Sequence, residues 1–380
     1  MRRHCIMLRL FRFVRRLARA ATLMLLPVAA ACDQPGQPSS AQHDASSADT
    51  LQATIVTAPV SGDSDDPAFW IDPVDPAQSR ILGTDKGDSA GGIYLFTLDG
   101  QIDTLRTRRP LRRPNNVDVI QGVRLGGRVV DLAVATERGS RRLRVFQLPS
   151  MTPIDRGGIP VFGEDTTRAP MGIALYHRPR DGAVFAIVGG KSGPSEGYLW
   201  QYRLHLDSEG YITAERVRAF GRYSGAKEIE SIAVDQPLGY VYYSDETVGI
   251  RKYHADPDHP DAARELALFA TTGFVQDHEG LAIYPTSDST GYLLASDQQG
   301  QRLQLFPREG IAGAPHEHPV LAVIPVSAQE TDGLDVTAVP QPPRFPRGLL
   351  VMMSTDRTFH LFDWRDVEIR LPERYRTVTK

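Results

Sequence analysis

The feature that most constrains this chain of 380 residues is a repeat of strand-like segments. Six such segments each end in an aromatic residue, and successive aromatic ends are 50 to 56 positions apart. The segments are Gly92 to Phe96, Arg142 to Phe146, Tyr198 to Tyr202, Gly249 to Tyr253, Arg302 to Phe306 and Thr358 to Phe362. A strand-rich unit that recurs at this period is typical of folds built by radial repetition.

Two further apolar runs precede each aromatic segment. The nearer runs begin at residues 80, 129, 182, 239, 291 and 348, and the farther runs at residues 65, 115, 171, 228, 277 and 331. Three visible strands per unit, with room for a fourth, predict an all-β fold, a six-bladed β-propeller. A β-sandwich does not require six similar units, and a helical solenoid requires a 3.6-residue period that the sequence lacks. The segment Ala53 to Ala58 lies outside the six units and is predicted to supply the outer strand of the last blade.

The N-terminal 31 residues have the pattern of an export signal. They contain seven arginines and no acidic residue, and their apolar stretch from Ala20 to Ala31 is too short to span a hydrocarbon core of about 30 Å. We therefore predict a signal peptide at residues 1–31 and an exported protein. Cys32 follows three alanines and resembles the lipid-attachment cysteine of bacterial lipoproteins, although an incidental cysteine beside an ordinary cleavage site is the alternative. The expected location is periplasmic, at the cell surface or secreted, with a lipid anchor at Cys32 as the only membrane contact.

The predicted domain boundaries follow from composition. Residues 32–52 contain almost no large apolar side chain, so they are predicted to be a flexible tether. No second linker follows, and residues 53–380 are predicted to form one domain. The other cysteine, Cys5, belongs to the predicted signal peptide, so the mature protein cannot form an internal disulfide.

The charge balance bears on possible partners. The chain has 43 Lys and Arg against 46 Asp and Glu, and residues 32–380 alone carry 36 basic and 46 acidic groups. A domain near −10 offers no basic surface for nucleic acid, so we expect no nucleic-acid partner. We also expect a monomer.

Polar residues concentrate at two points of each predicted unit. In an antiparallel blade that runs outward from the channel, the start of the innermost strand and the end of the second strand lie on one face. Acidic and amide residues collect at these points, and their mutual repulsion requires a cation. Candidate ligands among the residues at these points include Asp65, Asp66, Asn115, Asn116, Glu230, Glu246, Asp277, Glu279, Gln298 and Asp332. Oxygen ligands without cysteine or clustered histidine favour Ca²⁺ or Mg²⁺, and irregular spacing favours several Ca²⁺ ions. For any single acid the alternative is a turn cap or a bond to backbone N–H groups between blades.

Two motifs carry a resemblance to a known family. Residues 63–70 (DSDDPAFW) resemble the D-A-x-D-D-P-A-x-W signature of the β-propeller phytases, and residues 115–119 (NNVDV) resemble their N-N-V-D motif. Further matches lie at residues 83–86, 277–281, 291–296 and 331–336, so the resemblance covers about residues 60–364 in order. It implies a calcium-dependent hydrolase that releases phosphate from phytate, myo-inositol hexakisphosphate, or from other inositol phosphates.

The resemblance also implies roles for individual residues. Acids at the positions of Asp66, Glu230, Glu246, Glu279 and Asp332 bind calcium in the family, and Asn115 and Asn116 correspond to metal-site amides. Basic residues at the positions of Lys86, Arg138 and Lys191 contact substrate phosphates. We expect Lys86, Arg138, Glu230 and Glu279 to be the catalytic residues. Calcium also explains how an acidic protein can bind a polyanion.

The sequence departs from the family pattern at three positions. Ile120 stands where the motif usually has arginine, Ser192 where Bacillus-type members carry an acid, and Met171 where they have a substrate-contacting tyrosine. Two other functions stay open at this point. One is a calcium propeller lactonase or esterase, which would not need the lysine and arginine set. The other is a non-catalytic exported propeller that binds ligands.

Overall fold

The computed structural model describes residues 49–163 and 165–376. The predicted signal peptide, Cys32 and most of the predicted tether lie outside these residues. All described residues belong to one compact unit. Within it, no helix combines the length and the apolar character needed to cross a membrane.

The described chain forms six antiparallel sheets, which are numbered here as blades 1 to 6. Blade 1 contains β2 (Ser64–Trp70), β3 (Arg80–Asp85), β4 (Gly91–Phe96) and β5 (Arg108–Leu111). Blade 2 contains β6 (Pro114–Leu125), β7 (Arg128–Glu137), β8 (Arg142–Leu148), β9 (Thr152–Pro153) and β10 (Ile159–Pro160). Blade 3 contains β11 (Pro170–His177), β12 (Val184–Gly190), β13 (Glu196–Leu206) and β14 (Ile212–Arg222).

The other three blades repeat this order. Blade 4 contains β15 (Ile232–Asp235), β16 (Tyr240–Asp245), β17 (Gly249–His254) and β18 (Ala267–Phe269). Blade 5 contains β19 (His278–Pro285), β20 (Gly291–Asp297), β21 (Arg302–Pro307) and β22 (Ala322–Pro325). Blade 6 contains β23 (Leu334–Thr337), β24 (Leu349–Ser354), β25 (Thr358–Asp363) and β1 (Ile55–Val56). The short helices are α1 (Trp364–Glu368) and two 3₁₀ turns, Pro76–Gln78 and Glu373–Tyr375.

The innermost strands close a ring. Strands β2, β6, β11, β15, β19 and β23 neighbour one another in this order, and β23 neighbours β2. The prediction of an all-β, six-bladed β-propeller is confirmed, and each predicted aromatic segment is or lies within the third strand of a blade.

The repeated aromatic residue has a common packing role. Each of the six lies in the apolar cluster between its own blade and the preceding one: for example, Phe146 of blade 2 packs with blade 1, and Phe306 of blade 5 packs with blade 4. The other four are Phe96, Tyr202, Tyr253 and Phe362. Full burial of such a ring stabilises the fold by about 1.5–3 kcal/mol. The repeat therefore marks the six interfaces between blades.

The N-terminal segment completes the last blade. β1 pairs antiparallel with β25, with Ile55 opposite Leu361, which confirms the predicted closing strand. Leu51 is buried and bridges to Val326 of the neighbouring blade 5 region, where its N–H donates to the Pro325 carbonyl at 2.8 Å. The packed domain therefore begins at least two residues before the predicted boundary at residue 53.

Candidate metal and phosphate site

The ends of the strands create six equivalent positions around one end of the channel. Ser64 at the start of β2 is opposite Asp85 at the end of β3, and His278 is likewise opposite Asp297, so the predicted polarity holds. The residue after each second strand donates its backbone N–H to the loop that precedes the inner strand of the same blade. These six residues are Lys86, Arg138, Lys191, Glu246, Gln298 and Thr355. Five of them were predicted from the sequence, and Thr355 was not.

The acids that end the second strands serve the loops instead. Asp85 accepts hydrogen bonds from the N–H groups of Gly62 and Asp63, and Asp297 accepts from Val275 N and Arg302 Nε. The turn-cap alternative therefore applies to these residues. The residue that follows each of these acids in the sequence is the one that belongs to the site.

Lys86 joins blades 1 and 6. Its Nζ lies 2.8 Å from Asp65 Oδ1 and 2.6 Å from Asp332 Oδ2. Asp332 Oδ1 also accepts a hydrogen bond from Gln298 Nε2, which brings blade 5 into the same group. Blades 1, 5 and 6 thus contribute side chains to one cluster.

Asn115 joins blades 2 and 4. Its Nδ2 donates to Glu230 Oε1 and, at 3.0 Å, to Asn116 Oδ1, while Arg138 Nη1 lies 3.4 Å from Asn115 Oδ1. Because Glu230 directly precedes the inner-strand region of blade 4, this contact crosses the channel opening. We call the set of Asp65, Asn115, Asn116, Glu230, Glu246, Asp277, Glu279, Gln298 and Asp332 the acidic mouth.

A third group contains a lysine that the sequence analysis missed. Lys227 Nζ lies 2.9 Å from Glu246 Oε2, 2.7 Å from Asp277 Oδ2 and 3.7 Å from Glu279 Oε1. Lys227 is in the loop before β15, outside the strand ends to which the sequence argument was confined. Its position immediately before the acidic run Glu228 to Glu230 was the available signal.

The carboxylates of the acidic mouth act on one another electrostatically. Burial, the largest cause, raises the pKa of Glu230 and that of Glu246 to about 7. Burial raises the pKa of Asp65 well above its ordinary value, and the charges of Glu230 and Asp332 add to the effect against the opposing charge of Lys86. Burial followed by the charge of Glu246 does the same for Glu279. The groups therefore form one cluster that is costly to ionise without additional positive charge.

The residues fit a hard divalent cation. Four buried carboxylates of the acidic mouth have oxygens that accept no well-aligned hydrogen bond: Asp65 Oδ2, both oxygens of Glu246, Asp277 Oδ1 and Glu279 Oε2. Of these oxygens, Glu246 Oε2 is in an ion pair with Lys227. In two overlapping sets, Glu228 with Glu230 and Glu246, and Glu246 with Asp277 and Glu279, one oxygen from each acid lies within 4.8 Å of the others. Unpartnered buried carboxylates are the ligands that Ca²⁺ or Mg²⁺ binds.

Asp66 occupies a different place from Asp65. Its Oδ2 accepts a hydrogen bond of 3.0 Å from Val117 N, and it lines the channel with Asp118 and Asp335. Burial raises the pKa of Asp118 to about 6 and that of Asp335 to about 7. All three carboxylates accept backbone N–H groups of a neighbouring blade, which is the alternative role considered for single acids. A metal role for Asp66 stays a prediction.

Lys191, the basic residue that blade 3 places at this end of the channel, is more exposed than Lys86. Lys191 pairs with Glu228 and has a side chain that is 42% exposed. Of the residues that depart from the family pattern, Met171 is buried and its carbonyl accepts from Thr136, Ile120 packs between blades 2 and 3, and the Ser192 carbonyl accepts from Arg168. Blade 3 therefore offers a lysine to this site.

One histidine group lies at the other end of blade 4. His254, His259 and Asp261 each place a ligand-type atom within 4.8 Å of the others. However, His259 Nδ1 accepts the N–H of Asp261, so the neutral ring carries its proton on Nε2. This ring is not arranged to offer a free lone pair to a metal.

Fold and site together define a six-bladed β-propeller with a cation-type acidic site at one end of its channel. The family model described as Phytase matches residues 14–359, and the chain belongs to the phytase family. The chain is 27% identical over 356 residues to the 3-phytase of Bacillus subtilis (strain 168), which covers 85% of this chain and 86% of that protein. These matches confirm the resemblance and the prediction of an enzyme.

A solved structure is similar in fold alone. Regucalcin from Agrobacterium tumefaciens, described as a calcium-binding protein, superimposes with a TM-score of 0.50 at 9% sequence identity, over 83% of this chain and 96% of that one.

Proposed function

We propose that this chain is a calcium-dependent phosphomonoester hydrolase that releases phosphate from phytate. The observation that carries the proposal is the set of buried, unpartnered carboxylate oxygens beside Lys86 and Arg138 in the acidic mouth. The name of the Bacillus relative, 3-phytase, supports the same substrate. Family membership favours this function over a lactonase and over a non-catalytic binding propeller.

Calcium would be held by the carboxylates and amides of the acidic mouth. The buried acids Asp65, Glu246, Asp277 and Glu279 and the half-buried acids Glu230 and Asp332 supply oxygens, with Asn115, Asn116 and Gln298 as neutral ligands. Bound calcium supplies positive charge for the phosphate oxygens and activates water for attack on phosphorus. The irregular oxygen-only set favours Ca²⁺ over Mg²⁺, which demands near-octahedral geometry.

The basic residues bind and orient the phosphate groups. Lys86 lies between Asp65 and Asp332, so its ammonium can contact a phosphoryl oxygen of a substrate bound beside these acids. Arg138 and Lys191 occupy equivalent positions in the next two blades and present charge to neighbouring phosphates of the inositol ring. The half-buried Glu230 and the buried Glu279 would orient the attacking water. The chain thereby supplies positioning and electrostatic stabilisation of the transition state.

The test is phosphate release from phytate by the purified chain, with calcium and after chelation. We expect release with calcium, loss with chelator and recovery when calcium is restored. Release that persists after complete chelation contradicts the calcium dependence, and no release under any condition contradicts the phosphatase. Export through residues 1–31, anchoring at Cys32 and a monomeric state stay predictions.

A further inference from the structure

We propose that Lys227 competes with a divalent cation for the pocket formed by Glu246, Asp277 and Glu279, so that calcium enters this pocket only by displacing the lysine ammonium. The inference rests on the proposed calcium dependence and concerns the one lysine of the mouth that the family motifs did not indicate.

The three acids of the pocket are buried, and the lysine that contacts them is more exposed. The side chains of Glu246, Asp277 and Glu279 are 0%, 2% and 4% exposed, whereas that of Lys227 is 35% exposed. The ammonium therefore contacts buried carboxylates while part of its own side chain is exposed to solvent.

The lysine does not satisfy the pocket. Asp277 Oδ2 accepts from Lys227 and, at 2.7 Å, from Gln299 Nε2, but Asp277 Oδ1 and Glu279 Oε2 have no partner. Glu246 lies 2.9 Å from the ammonium, and neither of its oxygens accepts a well-aligned hydrogen bond. The three N–H donors of one ammonium are too few for the six oxygens of the three carboxylates. Ca²⁺, in contrast, takes six to eight oxygen ligands.

The two cations exclude each other by position and charge. Calcium binds oxygens at about 2.3–2.6 Å, and the ammonium already lies within 3 Å of two of the same carboxylates. A lysine ammonium is charged at neutral pH, so the competitor carries a positive charge at the same carboxylates. Repulsion at this distance is strong in a partly buried site.

Removing the lysine should have two opposite effects. Calcium affinity should rise because the competitor is gone. The melting temperature of the metal-free protein should fall because the three acids lose the ammonium that lies within 4 Å of them. A lysine with a merely structural role would lower stability and leave calcium affinity unchanged.

The experiment is a calcium titration of the metal-stripped full chain by calorimetry, together with thermal melts with and without calcium and without phytate. We expect Lys227→Met to bind calcium at least about tenfold more tightly than wild type. We also expect its metal-free melting temperature to be lower and its rise on calcium addition to be larger. Lys227→Arg, which keeps the charge, should stay close to wild type. Arg156→Met removes a cation that pairs with Asp207 and Glu209, which do not belong to the acidic mouth, and should leave the affinity unchanged.

Equal or weaker calcium binding by Lys227→Met overturns the proposal, as does the absence of calcium binding by both proteins. If metal-free Lys227→Met does not fold, the titration of Lys227→Gln decides by the same criterion. No phytate is present, so failure of the phosphatase assay overturns the proposed function without changing this result.

Discussion

Lys86 Nζ lies 2.6 Å from Asp332 Oδ2, so a single ammonium links the first blade to the last at the channel opening. The same nitrogen lies 2.8 Å from the buried Asp65. Lys86 thus combines two tasks, the neutralisation of two acids and the contact proposed with phosphate.

We predict that Lys86→Met lowers kcat for phosphate release by about 100-fold, a typical cost of losing one stabilising charge in the transition state. It should also lower the melting temperature of the metal-free protein, because the buried Asp65 loses the cation that offsets the cost of its burial. Steady-state assays and thermal melts check both effects. Arg156→Gln is the control, since it removes an exposed pair with Asp207, and a similar loss in this variant would refute a specific role for Lys86.

We predict that Glu230→Gln removes the activity and weakens calcium binding but raises the metal-free melting temperature. The glutamine keeps the size of the side chain and removes a buried charge, which burial already disfavours because it raises the pKa of Glu230 to about 7. Melts in chelator and in calcium should therefore move in opposite directions relative to wild type. A lower melting temperature in chelator would contradict this account.

Glu230→Ala and Asp66→Ala are also predicted to abolish activity.

The channel acid Asp335 predicts a pH dependence of stability. Burial raises its pKa to about 7 in the folded protein, so between about pH 4 and pH 7 the folded state holds a proton that the unfolded state has lost. Stability from this group falls as the pH rises through that window, by about 1.4 kcal/mol per unit at most. We expect the free energy of unfolding of Asp335→Asn, measured with denaturant in chelator, to rise relative to that of wild type from about pH 4.5 to pH 8. A difference between the two proteins that is independent of pH would exclude this titration.

The aromatic repeat predicts a cost at each interface. Phe306→Ala should lower the free energy of unfolding by about 3–5 kcal/mol, because the ring is fully buried between blades 4 and 5 and leaves a cavity. Urea unfolding measures it, with Val74→Ala, whose side chain is 90% exposed, as the control. Equal effects of the two substitutions would show that the repeat does not mark the interfaces.

The fold and most of the acidic mouth could be predicted from the sequence because both follow from the order of the strands. Blade strands are antiparallel, so their order fixes which ends meet, and the positions of Glu246 and Gln298 followed from that alone. The distinction between Asp65 and Asp66 did not follow, because successive residues of a strand point to different sides and a bulge lies at this start. Lys227 was missed because the path of a loop before a strand has no periodicity to reveal it.

The pairing of β1 with β25 places residues from both ends of the described chain in one sheet. A polypeptide still emerging during synthesis or transport lacks the partner for its own first strand until the sixth unit appears. The toroid can therefore close only late, after the sixth unit has been made. Truncation near residue 360 should leave Ile55 and its neighbours unpaired, with an open edge available for association between incomplete molecules.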